Sequence, residues 1–210
     1  MKTKKIYIIR HGQTDYNKRG IVQGSGIDAP LNDLGREQAS LFYEAYKNLP
    51  FDKIYTSALI RTEQSVKGFI DLGISHQSMP ELNEIHWGAK EGKPFSSNDH
   101  EEYERVTGFW SEGATHHAIA GGESPDQVMQ RQKVALDHIL SQPDESLILI
   151  AMHGRAIRIF LCLLLNCPLK KMDDFDHANL CLYQLTYAGG NFNLDNANCQ
   201  KHLEGLGQDS

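Results

Sequence analysis

Arg10-His11-Gly12, with Thr14 and Asn17 close behind, sets a guanidinium, an imidazole and small polar side chains directly after a short apolar run, Ile6-Tyr7-Ile8-Ile9. That run is β-branched and gives way to polar, glycine-rich chain, so it reads as a buried strand. Ligands of open α/β sheets bind just beyond the carboxyl ends of strands, where these groups fall. A second apolar run, Leu147 to Met152, ends the same way, in His153-Gly154-Arg155. Two forked, permanently charged arginines, Arg10 and Arg61, match a phosphate monoester in sign and geometry, since such a group carries about −1.5 to −2 charge near neutral pH. Arg61 lies in the first turns of a helix expected to open at Ser57, and helix N-termini favour anions. Glycines 12, 24 and 26 would let backbone N–H groups approach phosphoryl oxygens, and Asn17 adds a neutral donor.

Two histidines beside one phosphoryl group divide the work. One can attack phosphorus and form a phosphohistidine; the other can stabilise charge on the equatorial oxygens. The departing alkoxide needs a proton, so a carboxylic acid should stand nearby. Glu84 is the leading candidate, with Glu81 and Glu91 as competitors.

The elements that must position these groups alternate along the chain. Strands are expected near 4–9, 53–56 and 146–152, with a short extended piece near 77–82. Helices are expected near 32–48, 57–72, 124–141 and 155–166, and a hairpin near 179–185 and 191–194. Residues 12–30 read as a loop. Residues 84–122 read as an irregular insertion walling the site, with one helix near 99–111. Strands alternating with helices imply a largely parallel sheet covered on both faces. Neither a repeat nor a domain linker is evident, so 1–210 is read as one domain, with 199–210 a mobile tail. The hairpin offers a sheet edge, and edges are often covered by a partner, which raises a homodimer as an expectation.

Composition sets further bounds. With 210 residues, 40% of them hydrophobic, the chain can build a full core without disulfides or metal. Its four cysteines form no Cys-x-x-Cys pair, so reduced thiols and a cytoplasmic location are expected. Lys2, Lys4 and Lys5 are followed by only four apolar residues, unlike a signal peptide, and Ile157 to Leu165 is too short to cross a bilayer. A net charge of −6 argues against a nucleic-acid surface. His116-His117 lacks a carboxylate or cysteine at ligand spacing and reads as surface loop. Tyr103, Phe109 and Trp110 read as wall and core aromatics, and Arg155 and Arg158 as rim or solvent-facing charges. The absence of a Gly-x-Ser-x-Gly elbow removes a serine hydrolase.

Several pieces together resemble the histidine phosphatase superfamily, also called phosphoglycerate mutase-like. They are Arg10 to Asn17, Pro30 to Ala39, Thr56 to Ser65, Glu84 with Gly88 and Glu91-Gly92, Gly122-Glu123-Ser124 and Met152-His153-Gly154, in family order across roughly residues 4–186. The resemblance implies a three-layer α/β/α sandwich and chemistry that needs no metal or other cofactor. It implies His11 as the phosphorylated nucleophile and Glu84 as the proton donor. Arg10, Arg61 and His153 would form the phosphate pocket, supported by Asn17, with Gln23, Gly24 and Gly154 beside the substrate. Lys90 stands where the family often has tryptophan, a departure at the leaving-group pocket.

The expected function is hydrolysis of a small phosphorylated metabolite through a phosphohistidine. The alternatives are a cofactor-dependent phosphoglycerate mutase and a phosphate-binding protein without turnover. Mutases of the family usually carry a longer insertion with paired arginines, whereas residues 93–122 contain only Arg105; the phosphatase is therefore favoured.

Overall fold

The computed structural model describes residues 3–94 and 96–206. Its centre is a six-stranded sheet of β1 (Lys4–Arg10), β2 (Lys53–Thr56), β3 (His76–Ser78), β4 (Leu147–Met152), β5 (Leu182–Ala188) and β6 (Asn191–Cys199). The strand order is β3-β2-β4-β1-β5-β6. β3, β2, β4 and β1 run parallel, and β5 and β6 are antiparallel. The helices are α1 (Asp15–Lys18), α2 (Asp33–Tyr46), α3 (Ile60–Asp71), α4 (Ser97–Glu112), α5 (Pro125–Ser141) and α6 (Gly154–Leu164).

Alternation along β4 explains the layers. Ile148, Ile150 and Met152 join α5 and α6 residues such as Ile139, Ile157 and Phe160 in one core. Leu149 and Ala151 join Phe42, Val66 and Phe69 of α2 and α3 in the other. All five β4 residues from Ile148 on are fully buried, as period-2 side chains of a doubly covered strand must be. Burying each Ile or Leu stabilises the sheet by roughly 1.5–3 kcal/mol. A third cluster, with Ile85, Trp87, Val106 and Trp110, packs the wall segment and α4 onto α5 and α6.

Several boundaries differ from expectation. The helix read from Ser57 begins at Ile60; Leu59 is its N-cap and provides no side-chain cap. Ser57 Oγ instead accepts from the Leu59 N–H at 3.1 Å and meets His153. The piece read as extended over 77–82 is β3 followed by a 3₁₀ turn at Pro80–Leu82. The loop read over 12–30 contains α1, closed by a capping box between Thr14 and Asn17. The hairpin is longer than read, and its two-residue turn puts Gly189 and Gly190 at positive φ, as a type I′ turn requires. The tail is docked through Leu203. Lys201–Leu203 form a 3₁₀ turn, and His202 packs edge-on against Phe42 and bonds the Leu180 carbonyl oxygen at 2.8 Å. Residues 207–210 of the expected mobile segment lie outside the described residues.

Candidate active site

The strand register brings the two histidines together. Arg10 on β1 pairs with Met152 on β4, so the residues that leave the sheet next, His11 and His153, are neighbours with ring centroids 5.2 Å apart. β2 runs parallel on the other side of β4 and delivers Ser57 to the same edge. The chain leaving β1 is pinned by the segment that leads into β5. The Leu180 N–H, on a buried residue held at φ 54°, donates to the Arg10 carbonyl at 3.1 Å. Asn179 Nδ2 donates to the His11 carbonyl at 3.0 Å.

His11 is 3% exposed. Its Nδ1 lies 2.7 Å from the Gly12 carbonyl oxygen. A carbonyl only accepts, so Nδ1 carries the proton and Nε2 keeps its lone pair. Burial, then the charges of Arg61 and Arg10, holds the imidazole well below the usual histidine range. The ring is therefore a neutral base with one free nitrogen, which is what attack on phosphorus needs.

His153 is fully buried and neutral for the same reasons, with burial the largest. Its Nδ1 accepts from Arg61 Nε at 3.2 Å, and its Nε2 meets Ser57 Oγ at 2.7 Å. Arg61, also fully buried, donates from NH1 to the Ile27 carbonyl at 2.7 Å and from NH2 to the Gly24 carbonyl at 3.2 Å. With its nitrogen toward Thr14 Oγ1 at 2.6 Å, the Gln23 amide presents its oxygen to Arg61 Nε and NH1 at 3.0 and 2.9 Å. Burial lowers the Arg61 guanidinium to about 10, still far above neutrality.

Arg10 donates from NH1 to the His177 carbonyl at 2.9 Å. Its Nε is buried with no partner. Arg10 and His11 meet at one cleft, and a cationic donor without a partner favours an anionic oxygen as its partner.

Glu84 is 7% exposed and is held by the start of α6. Its Oε1 accepts from the Ala156 N–H at 2.8 Å and the Ile85 N–H at 2.9 Å, and its Oε2 from the Arg155 N–H at 3.1 Å. The helix N-terminus thus anchors a carboxylate of the protein itself. Of the rival carboxylates, Glu91 turns inward and accepts the Trp87 N–H at 2.8 Å. Glu81 contributes its carbonyl oxygen to Arg131.

A cleft of about 230 Å³ opens between these groups, lined by Arg10, His11, Asn17, Gln23, Glu84 and Gly154 together with Ile21, Val22, Trp87, Tyr103, Arg155 and His177. Arg61, His153 and Gly24 do not line it; they stand one layer behind. Asn17 Oδ1 accepts from the Thr14 N–H at 3.1 Å and from Asn179 Nδ2 at 3.3 Å, so it braces the loop as well as facing the cleft.

The expectations for Gly12 and Arg155 are corrected here. The Gly12 N–H donates to Ser65 Oγ at 2.9 Å and is not offered to a phosphoryl oxygen. At Gly24 the space a side chain would need is filled: a Cβ would lie 1.9 Å from Glu91 Oε1 and 2.6 Å from the Ile85 carbonyl oxygen. Glycine stands there for loop packing. Arg155, read as a rim or solvent charge, is 8% exposed. It pairs with Asp173 at 2.5 Å and reaches Tyr103 Oη at 3.3 Å, while Trp110 takes its guanidinium 5.4 Å above the ring. Arg158 shares Asp173. The placement of Arg155 on the first turn of α6, directly after His153-Gly154, was the available signal.

His177 was also missed, since nothing near it in sequence marks it. Burial and then Arg10 and Arg158 push it down to about 3. Lys90, at the departure from the family pattern, ion-pairs with Asp99 and with Glu102 (2.7 Å), tying the wall loop to α4. Among the described residues no group of three or more His, Cys, Asp or Glu is placed to hold a metal, and no helix is long and apolar enough to cross a membrane.

The chain resembles known proteins along almost its whole length. The probable phosphoglycerate mutase GpmB of Yersinia pestis (strain Pestoides F) is 33% identical over 167 residues, 78% of this chain and 76% of that protein. The structure of mycobacterial glucosyl-3-phosphoglycerate phosphatase in complex with VO3 superposes with a TM-score of 0.83 at 27% identity, covering 94% of this chain and 100% of that one. The alpha-ribazole phosphatase of Shigella flexneri shares the fold, with a TM-score of 0.82 at 23% identity over 93% of this chain and 96% of that one. The histidine phosphatase superfamily (branch 1) matches residues 6–200. That match runs from the third residue of β1 to just past the end of β6 and takes in every group that lines the cleft, so the chain belongs to the histidine phosphatase superfamily, branch 1.

Proposed function

We propose that this protein is a phosphomonoesterase that hydrolyses a small phosphorylated metabolite through a phosphohistidine on His11, with no metal required. The observation that carries this reading is the His11 ring: its Nδ1–H is committed to the Gly12 carbonyl, and it lines the cleft with Glu84 and with Arg10, whose Nε has no partner. In the first step the His11 Nε2 lone pair forms a bond to phosphorus as the ester P–O bond breaks. Glu84 gives the leaving oxygen its proton. In the second step water attacks phosphorus, Glu84 takes the proton back, and the P–N bond breaks to release inorganic phosphate. Arg10 and Arg61 supply the positive charge that the phosphoryl oxygens require. The solved neighbour at 27% identity is named glucosyl-3-phosphoglycerate phosphatase, which supports the phosphatase reading.

The mutase name of the Yersinia relatives supports a second reading, phosphoryl transfer between phosphoglycerates. A mutase must hold a carboxylated acid while it returns the phosphoryl group. The wall residues at the cleft are Trp87 and Tyr103, and Arg105 stacks over Phe109 instead, 5.7 Å from its ring. Phosphate release from a broad panel of phosphomonoesters in EDTA, with 3-phosphoglycerate included and its 2-isomer monitored, tests both. Release of inorganic phosphate from one or a few members is expected. Interconversion of phosphoglycerates with no phosphate released would establish the mutase, and silence across the panel would overturn both readings.

A further inference from the structure

Glu84 is held from two directions. Its carboxylate rests on the first turn of α6; its backbone lies in irregular chain between the Pro80–Leu82 turn and the wall. The second hold comes from one guanidinium on α5. Arg131 NH1 donates to the Glu81 carbonyl at 2.7 Å and the Asn83 carbonyl at 2.9 Å. Its NH2 donates to the Glu84 carbonyl at 3.0 Å and to Glu123 Oε2 at 3.0 Å, and its Nε to Glu123 Oε1 at 2.9 Å. Glu123 passes the hold onward: Oε2 accepts the His86 N–H at 2.9 Å, and its own N–H donates to the His86 carbonyl at 2.8 Å. Carbonyls 81, 83 and 84 and both polar backbone groups of residue 86 are thereby fixed by one ion pair. Arg131 itself lies outside the cleft.

We propose that Arg131, with Glu123 as its counter-ion, is the positioning residue for the proton donor, setting where the Glu84 carboxyl meets the leaving oxygen. This rests on the phosphatase reading above. A planar fork with five donors can serve five acceptor atoms at once, and an ammonium cannot. Proton delivery is sensitive to sub-ångström placement, and it matters only when the leaving group needs a proton. An alkyl alkoxide does; 2,4-dinitrophenolate departs unprotonated. A clamp that merely stabilised the loop would slow both kinds of ester alike.

The experiment measures kcat/KM, which reports phosphoryl transfer to His11, for native protein, Arg131→Lys, Glu123→Gln and Glu84→Gln, against a series running from alkyl phosphates to 2,4-dinitrophenyl phosphate. Arg131→Lys is expected to lower kcat/KM about 100-fold for alkyl phosphates, the scale of general-acid catalysis, and less than about 3-fold for the dinitrophenyl ester. Its dependence on leaving-group basicity should steepen toward that of Glu84→Gln. The double variant Arg131→Lys/Glu84→Gln should be no slower than Glu84→Gln alone. Glu123→Gln, which keeps the shape of the clamp and removes its counter-charge, should shift the series in the same direction and carries the comparison if Arg131→Lys does not fold. A loss of equal size across the series, or additive losses in the double variant, overturns the positioning role while leaving the phosphatase reading intact. An inactive native protein overturns both.

Discussion

His11 donates its Nδ1–H to the carbonyl oxygen of Gly12, its own neighbour, across 2.7 Å, and that one contact decides which ring nitrogen can react. The Gly12 carbonyl is held in place because Gly12 donates to Ser65 on α3 and the His11 carbonyl accepts from Asn179. The tautomer is therefore built into the exit of β1. Replacing His11 with Gln keeps a polar side chain and removes the nucleophile. Phosphate release is expected to fall by about 10³-fold or more. Acid-labile phosphate should appear on native protein quenched during turnover and be absent from the variant. Wild-type release by His11→Gln would sink the covalent mechanism.

Acid should not silence the nucleophile in the usual histidine range. Burial and the nearby arginines hold the pKa of His11 well below 6.5, so the neutral, attacking form persists as pH falls through 6.5. When rates are calculated on the dianionic substrate, which loses its second charge near pH 6, kcat/KM is expected not to fall from about pH 7.5 to 6. A decline centred at 6.5 that belongs to the enzyme would show that His11 titrates normally.

The same burial makes stability depend on pH. His177 is pushed down to about 3, while an unfolded histidine titrates near 6.5. Between those values the unfolded chain binds a proton that the folded chain does not, so stability is full above about 6.5 and is lost progressively as pH falls toward 3. His11 and His153, lowered in the same direction, add to the loss. Urea unfolding at pH 7 and pH 5 should show a marked drop for native protein. His177→Gln should reduce that drop by roughly 1–2 kcal/mol. An unchanged drop would mean that His177 is protonated in the folded state.

How far the sequence could be read follows from what kind of force places each residue. β1 and β4 were legible because doubly covered strands need unbroken apolar runs, and the residues that follow such runs are the ones a parallel sheet delivers to its ligand edge. Hence Arg10, His11 and His153 could be placed at the end of β1 and β4 without coordinates. α5 was legible from its period, and Ser124, where the reading began, is its N-cap. Arg131 was not, because its partners are carbonyl oxygens some 50 residues earlier, and a carbonyl leaves no mark in the sequence. Arg155 was misplaced because a charged residue on a helix usually faces water; Asp173, Tyr103 and the Trp110 ring, brought in by the turn after α6 and by α4, reverse that preference. Ser57 was read as the opening of a helix and instead meets His153, a choice that tertiary packing alone makes.

Gly24 tests whether the loop before α2 is packed or merely placed. Its carbonyl accepts from Arg61 NH2, so the loop and the buried guanidinium hold each other. A methyl group at Gly24 would collide with Glu91 Oε1 at 1.9 Å and with the Ile85 carbonyl at 2.6 Å. The carboxylate can move; the carbonyl belongs to the backbone beside Glu84 and cannot move without displacing the proton donor. Gly24→Ala is expected to cost about 1–3 kcal/mol in urea unfolding and to lower kcat/KM about 10-fold by loosening Arg61 and shifting Glu84. Combining it with Glu91→Ala separates the two collisions. Removing the carboxylate should recover part of the stability, with a coupling of about 1 kcal/mol. The activity should stay low, because the contact with the Ile85 carbonyl persists. Full recovery of both would show that Glu91 alone fills the space, and no recovery of either would show that the loop yields elsewhere.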